Sequence, residues 1–115
     1  MSGTEPAADL AALVRPGAVA IVGASADPTR IGGRPIACML RAGFRGAILP
    51  VNPNRAEVQG LASYPSVADL PQAPDVAVIA VPGAAALQAV EELGARGTRF
   101  AILFTAGAFV ALRRE

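Results

Sequence analysis

The sequence predicts an α/β domain built on a parallel sheet, and three observations carry that expectation. Apolar runs of strand length recur at Ala18–Val22, Ala47–Val51, Val76–Val81 and Phe100–Phe104. They are continuous rather than alternating, as expected of strands buried on both faces. Helical patterns separate the first run from the second and the third from the fourth, and glycine- or proline-bearing turns follow the strands. Strands alternating with helices imply βαβ units with right-handed crossovers.

Each element has a local reason. Asp9 precedes Leu10–Val14 and Pro16-Gly17 ends the run, so one or two helical turns are expected there. The first strand, Ala18–Val22, closes at Gly23, and the small, polar and glycine-rich segment 23–33 reads as a loop. Pro35–Ala42 places Ile36, Met39 and Leu40 at helical spacing, with Pro35 tolerated in the first turn and Gly43 as the stop. Pro50 cannot donate to a ladder, which puts the second strand toward a sheet edge or its own end there. Residues 60–65 allow a short extended piece, and Ser66 stands as N-cap before one turn at 67–70. The third strand leads through Pro82-Gly83 into a helix over Ala84–Arg96, with Ala86, Leu87, Val90 and Leu93 expected on its apolar face. Thr105-Ala106-Gly107 forms the turn after the last strand, and the tail 108–115 has a helix-compatible pattern.

Composition narrows the function classes. Of 115 residues 53% are hydrophobic and 17% charged, with mean hydropathy +0.46, which excludes intrinsic disorder. Ten basic against nine acidic residues leave a net charge of +1, which argues against nucleic acid or a membrane surface as partner. No apolar run approaches the roughly 20 residues of a bilayer-spanning helix. All ten basic residues are arginine, and there is no histidine. These residues alone therefore build no Ser-His-Asp triad, His-ligated metal or phosphohistidine. The single cysteine, Cys38, excludes an internal disulfide and a CxxC metal site, and is expected to pack on the first helix. One thiol and an opening without a secretion-signal pattern lead to a cytoplasmic expectation.

In an open α/β sheet ligands bind beyond the carboxyl ends of the strands, where strand order reverses. That rule selects the turns at 23–32, 52–55, 82–85 and 105–107. The first combines Gly23, Ala24 and Ser25 with Ile31-Gly32 at the front of a helix, where backbone N–H groups and the helix dipole favour an anion. The same glycines would equally serve a plain tight turn. Arg30 and Arg34 flank the loop and offer cations to a phosphate or simply to solvent. A dinucleotide fingerprint requires G-x-G-x-x-G, and an NAD site an acidic residue after the second strand. Here Gly23-Ala24-Ser25 and Asn52 stand instead, which disfavours NAD(P) and leaves a different nucleotide.

Ala20-Ile21-Val22-Gly23-Ala24-Ser25, Ile31-Gly32, Val51-Asn52-Pro53, Tyr64-Pro65-Ser66, Val81-Pro82 and Ala106-Gly107 occur in an order and spacing that resembles the CoA-binding domain of NDP-forming acyl-CoA synthetases. The likeness is to the ADP-forming acetyl-CoA synthetase alpha-subunit type, with the succinyl-CoA ligase alpha subunit more distant. The resemblance implies a Rossmann-like parallel sheet with helices on both faces, residues 1–115 forming one CoA-binding domain at the N-terminal part of a longer architecture. It implies coenzyme A or an acyl-CoA as ligand. Gly23, Ala24, Ser25, Ile31 and Gly32 would line the diphosphate and pantetheine path. Asn52, Pro53, Asn54 and Arg55 would flank the adenosine end. Val81 and Pro82 would pack on the ligand, and Phe104, Thr105 and Ala106 would meet the pantetheine arm. Where the family carries lysine after Asn-Pro, this chain has Asn54 and then Arg55, which can pair bidentately with a phosphate. The family's phosphohistidine and nucleotide-grasp domains have no counterpart in these residues. Ligand binding rather than complete catalysis is therefore the expectation, with the missing synthetase domains or subunit as partners. The alternatives are an NAD(P)-binding oxidoreductase domain and a truncated remnant that binds nothing.

Overall fold

The computed structural model describes residues 16–105 and the strand segment 108–113. β1 (Ala18–Val22), α1 (Arg34–Ala42) and β2 (Ala47–Val51) come first, followed by the two-residue strands β3 (Glu57–Val58) and β4 (Leu61–Ala62). A 3-10 turn at Val67–Asp69 leads to β5 (Val76–Ile79), α2 (Gly83–Ala95), β6 (Phe100–Thr105) and β7 (Ala108–Arg113). The main sheet has the order β2-β1-β5-β6-β7. β2, β1, β5 and β6 run parallel, and β7 pairs antiparallel to β6. This is the Rossmann-like α/β fold expected.

The strands bury both faces, and their alternation sorts side chains between two cores. Ala18, Ala20 and Val22 of β1 join Ala77 and Ile79 of β5 beneath Ala89 and Leu93 of α2. Val19 and Ile21, with Val76, Val78 and Phe100, face Ile36 of α1 and Val58 of β3. The two helices therefore cover opposite faces. α1 ends in a left-handed Gly43 at φ 71°, with Gly43 N–H on Leu40 O and Phe44 N–H on Met39 O, the closure a glycine makes cheaply. Pro50 lies on edge strand β2, fully buried opposite Ile21, as its missing donor requires. At the amino ends of the strands the Asp75 carboxylate accepts the N–H groups of Gly17 (2.7 Å) and Ala18 (3.2 Å), joining β5 to β1.

Four expectations need correction or completion. The segment 108–113 is a strand along β6 rather than a helix, because pairing with β6 satisfies its backbone. Leu87 is 63% exposed; the buried stripe of α2 is Ala89 and Leu93, with Ala86 and Val90 beside it. Cys38 is exposed on α1, since Ile36 takes the buried position of that helix. The extended piece at 61–62 is one arm of a hairpin whose other arm is Glu57–Val58. The helical turns expected at 9–14 lie outside the described residues. Among the described residues no helix is long and apolar enough to cross a membrane.

The burial pattern yields a paired stability test. Ile79→Ala, at 0% exposure, is expected to destabilise by about 3 kcal/mol in urea unfolding. Leu87→Ala should stay within about 0.5 kcal/mol of the parent. Equal losses would contradict this assignment of faces.

Candidate functional site

Strand order reverses between β1 and β5: the chain leaves β1 toward β2 through α1, and leaves β5 toward β6 through α2. Beyond their carboxyl ends lies a cleft of about 550 Å³ lined by Gly23, Ser25, Thr29, Arg30, Ile31, Gly32 and Ala80. A second, smaller cleft of about 190 Å³ shares Gly23 and is walled by Val22, Val51, Pro53, Val67, Val81 and Ala85, with Gln88 and Glu92 at its rim.

The loop between β1 and α1 closes on itself without space for side chains. Gly23 has φ +84°, and a Cβ there would lie 2.8 Å from Val81 Cγ1. A Cβ on Gly32 would run into the Gly23 carbonyl, and one on Gly33 into the Asp27 carbonyl. The glycines are thus fixed by contact, whatever ligand is present. Much of the loop's own donor capacity is also spent internally. Gly23 and Ala24 N–H both donate to Val51 O (3.1 Å each), and Ser25 N–H donates to Gly32 O (3.2 Å). The N–H groups of Ile31 and Gly32, both on the large cleft, have no hydrogen-bond partner among the described residues. The donors available to an anion therefore sit at the helix side of the loop, not at Gly23-Ala24.

Side chains hold the loop in place. Thr29 donates its hydroxyl (2.6 Å) and N–H (2.9 Å) to Asp27 Oδ1. These bonds, with Arg30 Nε 3.9 Å from the carboxylate, hold Asp27 below its ordinary pKa, so the turn remains charged well into mild acid. Arg34 donates to Thr29 O (3.2 Å), which makes it part of the loop's frame, whereas Arg30 lines the cleft. Asn52 donates Nδ2 to Ala24 O (2.9 Å) and accepts Asn54 N–H on Oδ1 (2.8 Å). It ties the end of β2 to the loop after β1.

The expected site residues divide accordingly. Gly23, Ser25, Ile31 and Gly32 come together on the large cleft; Pro53 and Val81 line the small one. Ala24 is buried and meets the site through its backbone. Asn54, Arg55 and Pro82 are exposed and line neither cleft. Phe104 and Thr105 end β6, and Ala106 lies outside the described residues. Thr29, Ala80 and Val67 line the clefts unforeseen; their position after a turn or strand end was the available signal. Gln59 was also missed: its Nε2 donates to Ser25 O and Gly33 O, 3.0 Å each. No group of three potential metal ligands occurs among the described residues.

Sheet order, paired βαβ units and a cleft at the reversal point define a Rossmann-like α/β domain. The chain matches the model of the CoA binding domain family over residues 17–114 and belongs to that family. It is 38% identical over 95 residues to trans-feruloyl-CoA synthase FCS1 of an unknown prokaryotic organism, covering 83% of this chain and 13% of that protein. It is 35% identical over 99 residues to acetate–CoA ligase (ADP-forming) II of Archaeoglobus fulgidus, covering 86% and 15%. It therefore spans about a seventh of those relatives' length. Among solved structures, dinucleotide-forming acetyl-coenzyme A synthetase 1 of Ca. Korarchaeum cryptofilum superposes with TM-score 0.78 at 42% identity, covering 86% of this chain and 22% of that one. A conserved hypothetical protein of Pyrococcus furiosus gives TM-score 0.67 at 37% identity, covering 78% and 76%.

The double role of Asn52 can be measured. Asn52→Asp keeps an acceptor for Asn54 but loses the donor to Ala24 O and turns a carboxylate toward that carbonyl. A loss of about 1–3 kcal/mol in chemical unfolding is expected; an unchanged midpoint would show that the tie carries no stability.

Proposed function

We propose that the chain binds coenzyme A or an acyl-CoA in the two clefts that meet at Gly23. The observation that carries this reading is the large cleft at the β1/β5 reversal. It combines free N–H groups at Ile31 and Gly32 with the Arg30 guanidinium, on the front of α1. Such a set suits a diphosphate, which takes backbone donors and a bidentate cation. The apolar small cleft beside it, with Pro53 and Val81, suits an uncharged portion of the same molecule. Arg55, exposed beyond β2, is within the segment that would flank the adenosine end and is suited to its phosphate. Membership of the CoA binding domain family supports the choice among nucleotides, and Asn52 in place of an acidic residue speaks against NAD.

In this reading the chain's own groups hold and orient the ligand. Arg30 and the loop N–H groups neutralise phosphate charge, Asn52 fixes the loop, and Val81 excludes water from the inner side. Coenzyme A, when bound, supplies the thiol that accepts an acyl group. With no histidine in 115 residues, a phosphohistidine relay would need residues from elsewhere. We therefore assign the chain the role of the N-terminal CoA-binding unit of a larger acyl-CoA synthetase, with further domains or a subunit as its partners.

Calorimetric titration with CoA, and with NAD as comparison, tests the reading. Heat with CoA and none with NAD is expected, and Arg30→Ala should weaken CoA about tenfold, the worth of one charge-assisted hydrogen bond. Arg55→Ala should weaken CoA more than dephospho-CoA. Silence with CoA in a chain that unfolds cooperatively would overturn the assignment.

A further inference from the structure

The hairpin β3–β4 is too short to stabilise itself, and its turn is built against preference. Gln59 and Gly60 occupy the two turn positions with φ +51° and +83°, and Gln59 is the one non-glycine residue with positive φ among the described residues. Paired positive φ at both centres is the type I′ hairpin turn, which favours Asn or Gly at the first position. A glutamine there carries backbone strain. What the longer side chain does with that conformation is visible: Nε2 reaches Ser25 O and Gly33 O at 3.0 Å each, across 34 and 26 residues of sequence. Those two carbonyls stand at the two ends of the loop that lines the large cleft. Beneath the turn Val58, fully buried, anchors the hairpin in the core with Ile36 of α1.

We propose that Gln59 is a positioning residue. Its amide pins both ends of loop 25–33, sets the mouth of the cleft, and so fixes the Ile31 and Gly32 N–H groups for the ligand diphosphate. This rests on the CoA-binding reading above. Neither glycine nor asparagine, which the turn prefers, has a side chain able to make both bonds: glycine has none, and asparagine is one methylene shorter.

The test uses Gln59→Gly and Gln59→Asn in the full 115-residue chain. Each relieves strain at the turn and gives up the two amide bonds, effects of opposite sign on stability, so the unfolding midpoint should shift only slightly while CoA affinity falls about tenfold. A purely structural role would instead move stability and affinity together. Hydrogen exchange without ligand provides the second readout: the amides of Ser25, Gly33 and Arg34, each bonded within the loop, should exchange several-fold faster in both variants. Unchanged exchange, or CoA affinity equal to the parent, would overturn the role given to Gln59. A parent chain that takes no CoA would overturn the functional reading, and the exchange rates would still decide whether Gln59 holds the loop.

Discussion

The site depends on a backbone-on-backbone contact: the chain leaving β1 and the chain entering α1 meet at Gly23 and Gly32 with no room for a Cβ between them. Everything around the cleft is arranged about that closure. Val51 O at the end of β2 receives two N–H groups from the β1 exit, so the neighbouring strand, not the loop's own sequence, fixes where the loop begins. Asn52 then adds a side-chain tie to Ala24 O. On the far side Gln59 reaches both loop ends. The loop is thus held from β2 and from the hairpin, and the cleft's shape is a property of three segments distant in sequence.

That arrangement also sorts the charges. Net charge is only +1, so no general field draws anions to the surface. Attraction has to be local. Of the two arginines on the loop, Arg34 is bonded to Thr29 O and Arg30 stands on the cleft beside Asp27. An exposed pair at 3.9 Å is weakly held. In the proposed reading Arg30 would exchange the Asp27 carboxylate for a phosphate at little cost, while Thr29 keeps Asp27 satisfied through two shorter bonds.

The parts of the fold legible in the sequence were those decided by local composition. Continuous apolar runs gave the parallel strands, Pro50 gave the edge, Gly43 the end of α1, and Asp27 its turn. What failed was decided by geometry between segments. Leu87 reads as core by residue type, yet on α2 it projects away from the stripe set by Ala89 and Leu93. Residues 108–113 carry apolar spacing that serves helix or strand, and only the free edge of β6 selects the strand. Gly23, Ser25, Ile31 and Gly32 could be placed together on one cleft because a glycine-bearing strand-to-helix turn has a local pattern. Gln59 could not, because its partners are two carbonyls whose positions exist only once the loop and hairpin have folded.

The two cores lie between sheet and helices, whereas the clefts lie beyond the strand ends and share with those cores only Val22, Val51, Val67 and Ala89 among fully buried residues, with Val81 packed beside them. The large polar cleft shares none. Its loop takes its shape from its glycines and from the ties that Asn52 and the hairpin's Gln59 make to it. The small cleft is built differently: its apolar wall is also the roof of the α2-side core. A ligand seated across Gly23 would meet a polar half held by the loop's ties and an apolar half shared with the core. In the proposed reading the apolar half would select the uncharged group, and the polar half would hold the phosphates that follow it.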